Sequence, residues 1–111
     1  GQLFVVGRDD DMIVSGGENV YPLEVENLLS SRPDVLEAAV VGVDDEEFGQ
    51  RLRAYVVLAD GHPGDEAKAD ELRRYVKDNL ARYKVPRDVI FLDELPRNAT
   101  GKLLRKQLAA R

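Results

Sequence analysis

Cysteine is absent from this chain and histidine occurs once. The first absence excludes disulfide scaffolds, Cys-rich metal sites and thiol chemistry. The second excludes a His-rich metal site. No apolar run approaches the ~18 residues of a membrane span, and no signal peptide is visible, so a transmembrane segment is not expected. Basic residues are outnumbered, 16 against 21 acidic ones, for a net charge of −5. That balance argues against nucleic acid as a partner.

What is there suits a single domain. A chain of 111 residues can hide roughly 65% of its unfolded surface, so one core needs no staple. The chain opens on Gly-Gln rather than Met, as a fragment or a processed product would. Its charge is unevenly placed. Residues 1–81 hold 8 basic and 18 acidic side chains, a balance of −10, whereas residues 82–111 hold 8 and 3, a balance of +5. A basic tail on an acidic body points to an anion met by the tail. A solvated last helix, with Lys and Arg favouring its C-terminal end, explains the same charge without a ligand.

The apolar runs "LFVV" and "MIV", separated by "GRDDD", read as a small hairpin. "YPLEVENLLSS" reads as a helix with Pro22 at its first position and Val25, Leu28 and Leu29 on one face. "LEAAVVGV" and "LRAYVVLA" are β-rich, and in the second Leu52, Ala54, Val56 and Leu58 alternate with Arg53, Tyr55 and Val57, the pattern of a half-buried strand. "DGHPGD" is a loop in which His62 has no partner cluster. Ala69, Leu72, Val76 and Leu80 recur at helical spacing. "DVIFL" is a short strand and "GKLLRKQLAA" a final helix. The order β-β-α-β-β-α-β-α predicts an α+β domain, a small mixed β-sheet with flanking helices preceded by a short β-hairpin.

Three motifs are tested and fail. A P-loop needs Gly five positions before Gly101, with four residues between, and Ser or Thr after Lys102, where Pro96 and Leu103 stand. A calcium loop starting at Asp44 would need oxygen ligands at Phe48 and Tyr55. An RNA-binding strand would be aromatic-rich, and "LRAYVVLA" offers Tyr55 alone.

What remains is a pair of glycine-bearing segments, "GRDDDMIVSGGENVYPLEVE" and "LPRNATGKLLRKQL", with "LARYKVPRDVIFLDELPRNATGK" read as one block. Together they resemble the C-terminal domain of the adenylate-forming enzymes: acyl- and aryl-CoA synthetases, peptide-synthetase adenylation domains and luciferases. The resemblance covers essentially the whole chain, and "SGGENVYPLEVE" looks most like fatty-acyl-CoA synthetases. It implies one lid domain over residues 1–111, a hinge near residue 10, and a large N-terminal domain beyond these residues.

The resemblance implies a two-step ligase. A carboxylate and ATP give acyl-AMP and pyrophosphate; the domain then rotates, and CoA takes the acyl group, releasing AMP. Lys102 matches the adenylation lysine, Arg8 the arginine on the ribose hydroxyls and Asp10 the hinge. Gly16, Gly17 and Glu18 match the segment lining the CoA or pantetheine channel. The glycines also suit a plain tight turn between a strand and a helix, Arg8 a salt bridge to a neighbouring Asp, and Lys102 a solvated helix start. Some relatives, luciferases among them, carry a lysine where Gly16 stands, so CoA ligation is favoured over luciferase-like oxidation.

ATP, Mg2+ and CoA are implied as ligands of the complete enzyme, with none bound by this domain alone. The implied partners are the N-terminal domain of the same enzyme and a fatty or other carboxylic acid. The implied setting is fatty acid metabolism at a cytoplasmic or membrane-peripheral location. Two alternatives stand beside this reading: the equivalent part of a peptide-synthetase adenylation domain, serving a carrier protein, and a non-catalytic α+β binding module.

Overall fold

A computed structural model describes residues 12–47 and 49–95 of the chain. The two longest strands, β3 (Val35–Asp45) and β4 (Gly49–Leu58), form an antiparallel hairpin. A short strand, β5 (Asp88–Phe91), joins the far side of β4 in parallel. The sheet order is thus β3-β4-β5 and the sheet is mixed. The parallel pairing needs a crossover, and helix α2 (Glu66–Asn79) supplies it between β4 and β5. Helix α1 (Pro22–Ser30) precedes β3 and has Pro22 in its first turn, where proline's missing N–H costs nothing. The α+β architecture therefore agrees with the sequence pattern.

A separate two-stranded hairpin stands ahead of α1. Strand β1 (Ile13–Ser15) pairs antiparallel with β2 (Glu18–Val20). This is a different pairing from the expected one of "LFVV" with "MIV". The run "MIV" does supply a strand, but its described partner is "ENV", three residues that carry no period-2 signal of their own. Residues 3–6, the expected first strand, lie outside the described residues, as does the expected final helix.

Side-chain parity sorts the sheet into two faces. Leu52, Ala54 and Val56 of β4 join Val35 and Val40 of β3 in a core closed by Val25 and Leu29 of α1 and by Leu72 and Val76 of α2. Both helices thus cover one face. Val35 and Val40 share that face despite their odd separation because a bulge lies between Val35 and Glu37. The opposite face carries Ala39, Val41, Tyr55 and Val57, packed with Leu95, Ile90 and Leu92. Here β4 departs from the expected half-buried strand. Tyr55 is only 1% exposed, because apolar residues from β5 and beyond it cover the face the alternation leaves open. Burying such a face favours folding by about 25 cal/mol per Å² of apolar area.

Strand β3 lies at one edge of the sheet. Its Val40 N–H turns away from β4 and donates to Glu26 Oε2 of α1 at 2.8 Å. Glu26 is buried, so a backbone donor at the sheet edge is satisfied by a helix side chain rather than by water. Among the described residues no helix is long and apolar enough to cross a membrane.

Candidate functional site

Of the residues singled out in the sequence, Lys102, Arg8 and Asp10 lie outside the described residues. Gly16, Gly17 and Glu18 lie within them, at the tip of the β1–β2 hairpin. The turn has two central residues, closed by the Ser15–Glu18 pair. Gly16 has φ 60° and Gly17 φ 83°. A two-residue hairpin turn with positive φ at both positions is the geometry that matches the strands' right-handed twist, and it strongly favours glycine. Among the described residues, a Cβ at Gly17 would meet nothing within 4 Å. Backbone dihedral, rather than crowding inside the domain, accounts for that glycine. The space above it is open to an incoming group. The tight turn expected between a strand and a helix is therefore a turn between two strands, with α1 following only after β2.

The turn opens on a groove of about 640 Å³. Ser15 and Gly16 form one wall, and Arg73 of α2 forms another. The remaining wall comes from a 3-10 turn over Arg82–Lys84 and the residues after it: Arg82, Tyr83, Val85, Pro86 and Arg87. Among the described residues, the lining includes three arginines and no acidic residue. Arg73 is partly offset, since its Nη1 lies 2.7 Å from Asp70 Oδ1 and 3.7 Å from Glu66 Oε2.

The wall of the groove is braced on both sides. Arg87 N–H donates to Leu52 O at 2.9 Å, which hangs the segment from β4. Lys84 Nζ donates to Glu24 Oε1 of α1 at 2.6 Å, and Glu24 holds the ammonium's pKa above its ordinary value. Tyr83 beside it keeps a partly exposed ring. The lining suits a thin chain passing the glycine turn with anionic groups against the arginines.

Arg73, Arg82 and Arg87 carry no motif that sequence reading isolates. Two of them fall in the basic stretch that begins at residue 82, so the charge asymmetry marked the region without naming the residues. Arg73 reaches the groove only because α2 folds back beside the 3-10 turn. No group of three His, Asp or Glu side chains among the described residues is placed to hold a metal ion.

Comparison with known proteins follows the same lines. The AMP-binding enzyme C-terminal domain family matches residues 24–102. A 2-succinylbenzoate–CoA ligase from Geobacillus kaustophilus is 54% identical over 108 residues, 97% of this chain and 21% of the relative. A 4-chlorobenzoate–CoA ligase from a Pseudomonas species is 50% identical over 109 residues, 97% of this chain and 20% of the relative. The solved structure of an acyl-CoA synthetase from Brucella canis superimposes with a TM-score of 0.88 at 41% identity, covering 95% of this chain and 19% of that one. The chain thus spans about a fifth of the length of the relatives it matches. With a family match that takes in most of the chain, from the first turn of α1 through Lys102, and a fold shared at this level of identity, the chain belongs to the C-terminal domain family of the AMP-binding, adenylate-forming enzymes.

Proposed function

We propose that this chain is the mobile lid of an ATP-dependent acyl-CoA synthetase and supplies a different face to each half-reaction. One observation carries the reading: a turn of two positive-φ glycines, open above Gly17, gives directly onto an arginine-lined groove. Coenzyme A has the matching shape and charge, a slender thiol-bearing arm ending in a phosphorylated nucleotide. In this reading the arm passes Gly16, Gly17 and Glu18, and the arginines meet its phosphates. The names of the relatives, ligases of CoA to carboxylic acids, support the same substrate pair.

The first half-reaction joins a carboxylate oxygen to the α-phosphorus of ATP and expels pyrophosphate. Both reactants are anionic, so a cation between them stabilises the in-line transition state. Lys102 is assigned that role and Arg8 the ribose hydroxyls. In the second half-reaction the CoA thiol, losing its proton, attacks the acyl carbon and AMP leaves. Magnesium, as the counter-ion of ATP, finds no dedicated carboxylate cage among the described residues. It would ride on the phosphates.

The test separates the faces. A cation contact at 4 Å and an effective dielectric of ~20 is worth about 4 kcal/mol. In the complete enzyme, Lys102→Ala should slow acyl-AMP formation by roughly two to three decades. Preformed acyl-AMP with CoA should still give thioester at near the wild-type rate, because the lysine has swung away by then. Equal damage to both half-reactions would overturn the assignment.

A further inference from the structure

The β1–β2 hairpin that carries the glycine turn is only three residues long on each strand. A two-stranded ribbon of that length does not hold itself in place. It belongs to neither edge of the three-stranded sheet. Where the turn sits therefore depends on what the hairpin rests upon: β2 buries Val20 in the main core, and β1 rests on the turn end of the β3–β4 hairpin.

Three features meet there. Ile13 is 3% exposed and occupies a notch over Gly42: a Cβ built on Gly42 would lie 3.0 Å from Ile13 Cγ2 and 3.0 Å from Gln50 Nε2. At the start of β4, Gly49 has φ 82°, and a Cβ there would stand 4.0 Å from Val14 O. Next to it, Gln50 Oε1 accepts a hydrogen bond from Val14 N–H at 3.0 Å, across 36 residues of sequence. Val14 is the middle residue of β1, so this bond fixes the strand along its own axis as well as its height over the sheet.

We propose that Gln50 is a positioning residue for the thioester half-reaction, holding β1 so that the Gly16–Gly17 turn stands at the correct height beside the arginine groove. Gly42 is the notch that lets it do so. The inference rests on the reading of the turn as the CoA-side loop. It adds a residue on a different strand pair, 33 positions from Gly17, that touches no substrate.

The experiment uses the complete enzyme and reads the two half-reactions separately, as carboxylate-dependent ATP–pyrophosphate exchange and as thioester formation from preformed acyl-AMP with varied CoA. Gln50→Leu keeps the bulk and loses the acceptor. It should lower kcat/KM for CoA by about three- to tenfold, the scale of one lost hydrogen bond, mainly through KM. Pyrophosphate exchange should stay within about twofold of wild type, which also shows that the variant folds. Gln50→Glu keeps an acceptor oxygen and should restore most of the CoA kinetics. A Gln50→Leu enzyme with unchanged CoA kinetics overturns the proposal, as does an equal loss in both half-reactions or a failure of Gln50→Glu to rescue. Gly17→Val tests the reading underneath: if it cuts thioester formation while Gln50→Leu does not, only the positioning role falls. If Gly17→Val leaves thioester formation intact, the turn is not the CoA-side loop and both readings fall.

Discussion

Asp34 sits just ahead of β3 with its side chain 9% exposed. Its Oδ1 accepts from Arg32 Nε and its Oδ2 from Arg32 Nη2, each at 2.9 Å, in the planar fork that suits a guanidinium. Lys68 Nζ of α2 donates to the same Oδ2 at 2.8 Å. The Arg32 hydrogen bonds, with help from Lys68 and against the cost of burial, hold the Asp34 carboxyl well below the usual carboxylate range. A carboxylate whose folded pKa is depressed stabilises the fold at pH above its unfolded value and loses that contribution as pH falls. The unfolded value lies near ~3.9. Stability should therefore drop as the solution is taken below about pH 4. Asp34→Asn should cost about 2 kcal/mol at pH 7 and much less at pH 3, where the wild type has begun to lose the same interaction. Urea melts at the two pH values check this, and an equal cost at both would disprove it. At this scale the sequence was partly legible. Two adjacent glycines imply positive φ by a purely local rule, whereas the pairing of Asp34 with Lys68 requires α2 to have folded back over 34 residues.

The helices were the most legible elements and the strands the least. Helix α2 announces its buried stripe of Ala69, Leu72 and Val76 by spacing alone. Its start is local chemistry too: Asp65, in extended backbone, accepts from Lys68 N–H at 2.9 Å and caps the first turn. Asp65→Ala should lower unfolding free energy by about 1 kcal/mol, with no change in denaturant slope, as read in urea melts. Retention of full stability would mean that packing, not the cap, sets the helix start. Strand β4 misleads because its alternation describes one face, while Ile90, Leu92 and Leu95 arrive from far along the chain to bury the other. Strand β2 escapes notice because three residues cannot establish a period. It becomes a strand only by pairing back across the glycine turn. The arginine groove escapes for the same reason as β4's second face: its walls come from β1, α2 and the segment after α2, and no single stretch of sequence contains it. Lys102, Arg8 and Asp10 are singled out by family resemblance alone and lie outside the described residues.

At the scale of the whole molecule, a lid that shows two faces in turn must change backbone dihedrals somewhere, and the proposed pivot is Asp10. Proline there holds φ near −65° and restricts Asp9 as well. In the complete enzyme, Asp10→Pro should preserve carboxylate-dependent pyrophosphate exchange and abolish thioester formation, whereas Asp10→Ala should spare both. A proline variant that slows both half-reactions together, or neither, would show that the pivot lies elsewhere. A domain that swings in this way keeps presenting its flanks to other protein surfaces, and an open strand edge is a template on which foreign strands can build. The buried Glu26 lessens that hazard at one position of β3. By taking up the Val40 N–H, it removes one donor from the row on which a foreign strand would have to build.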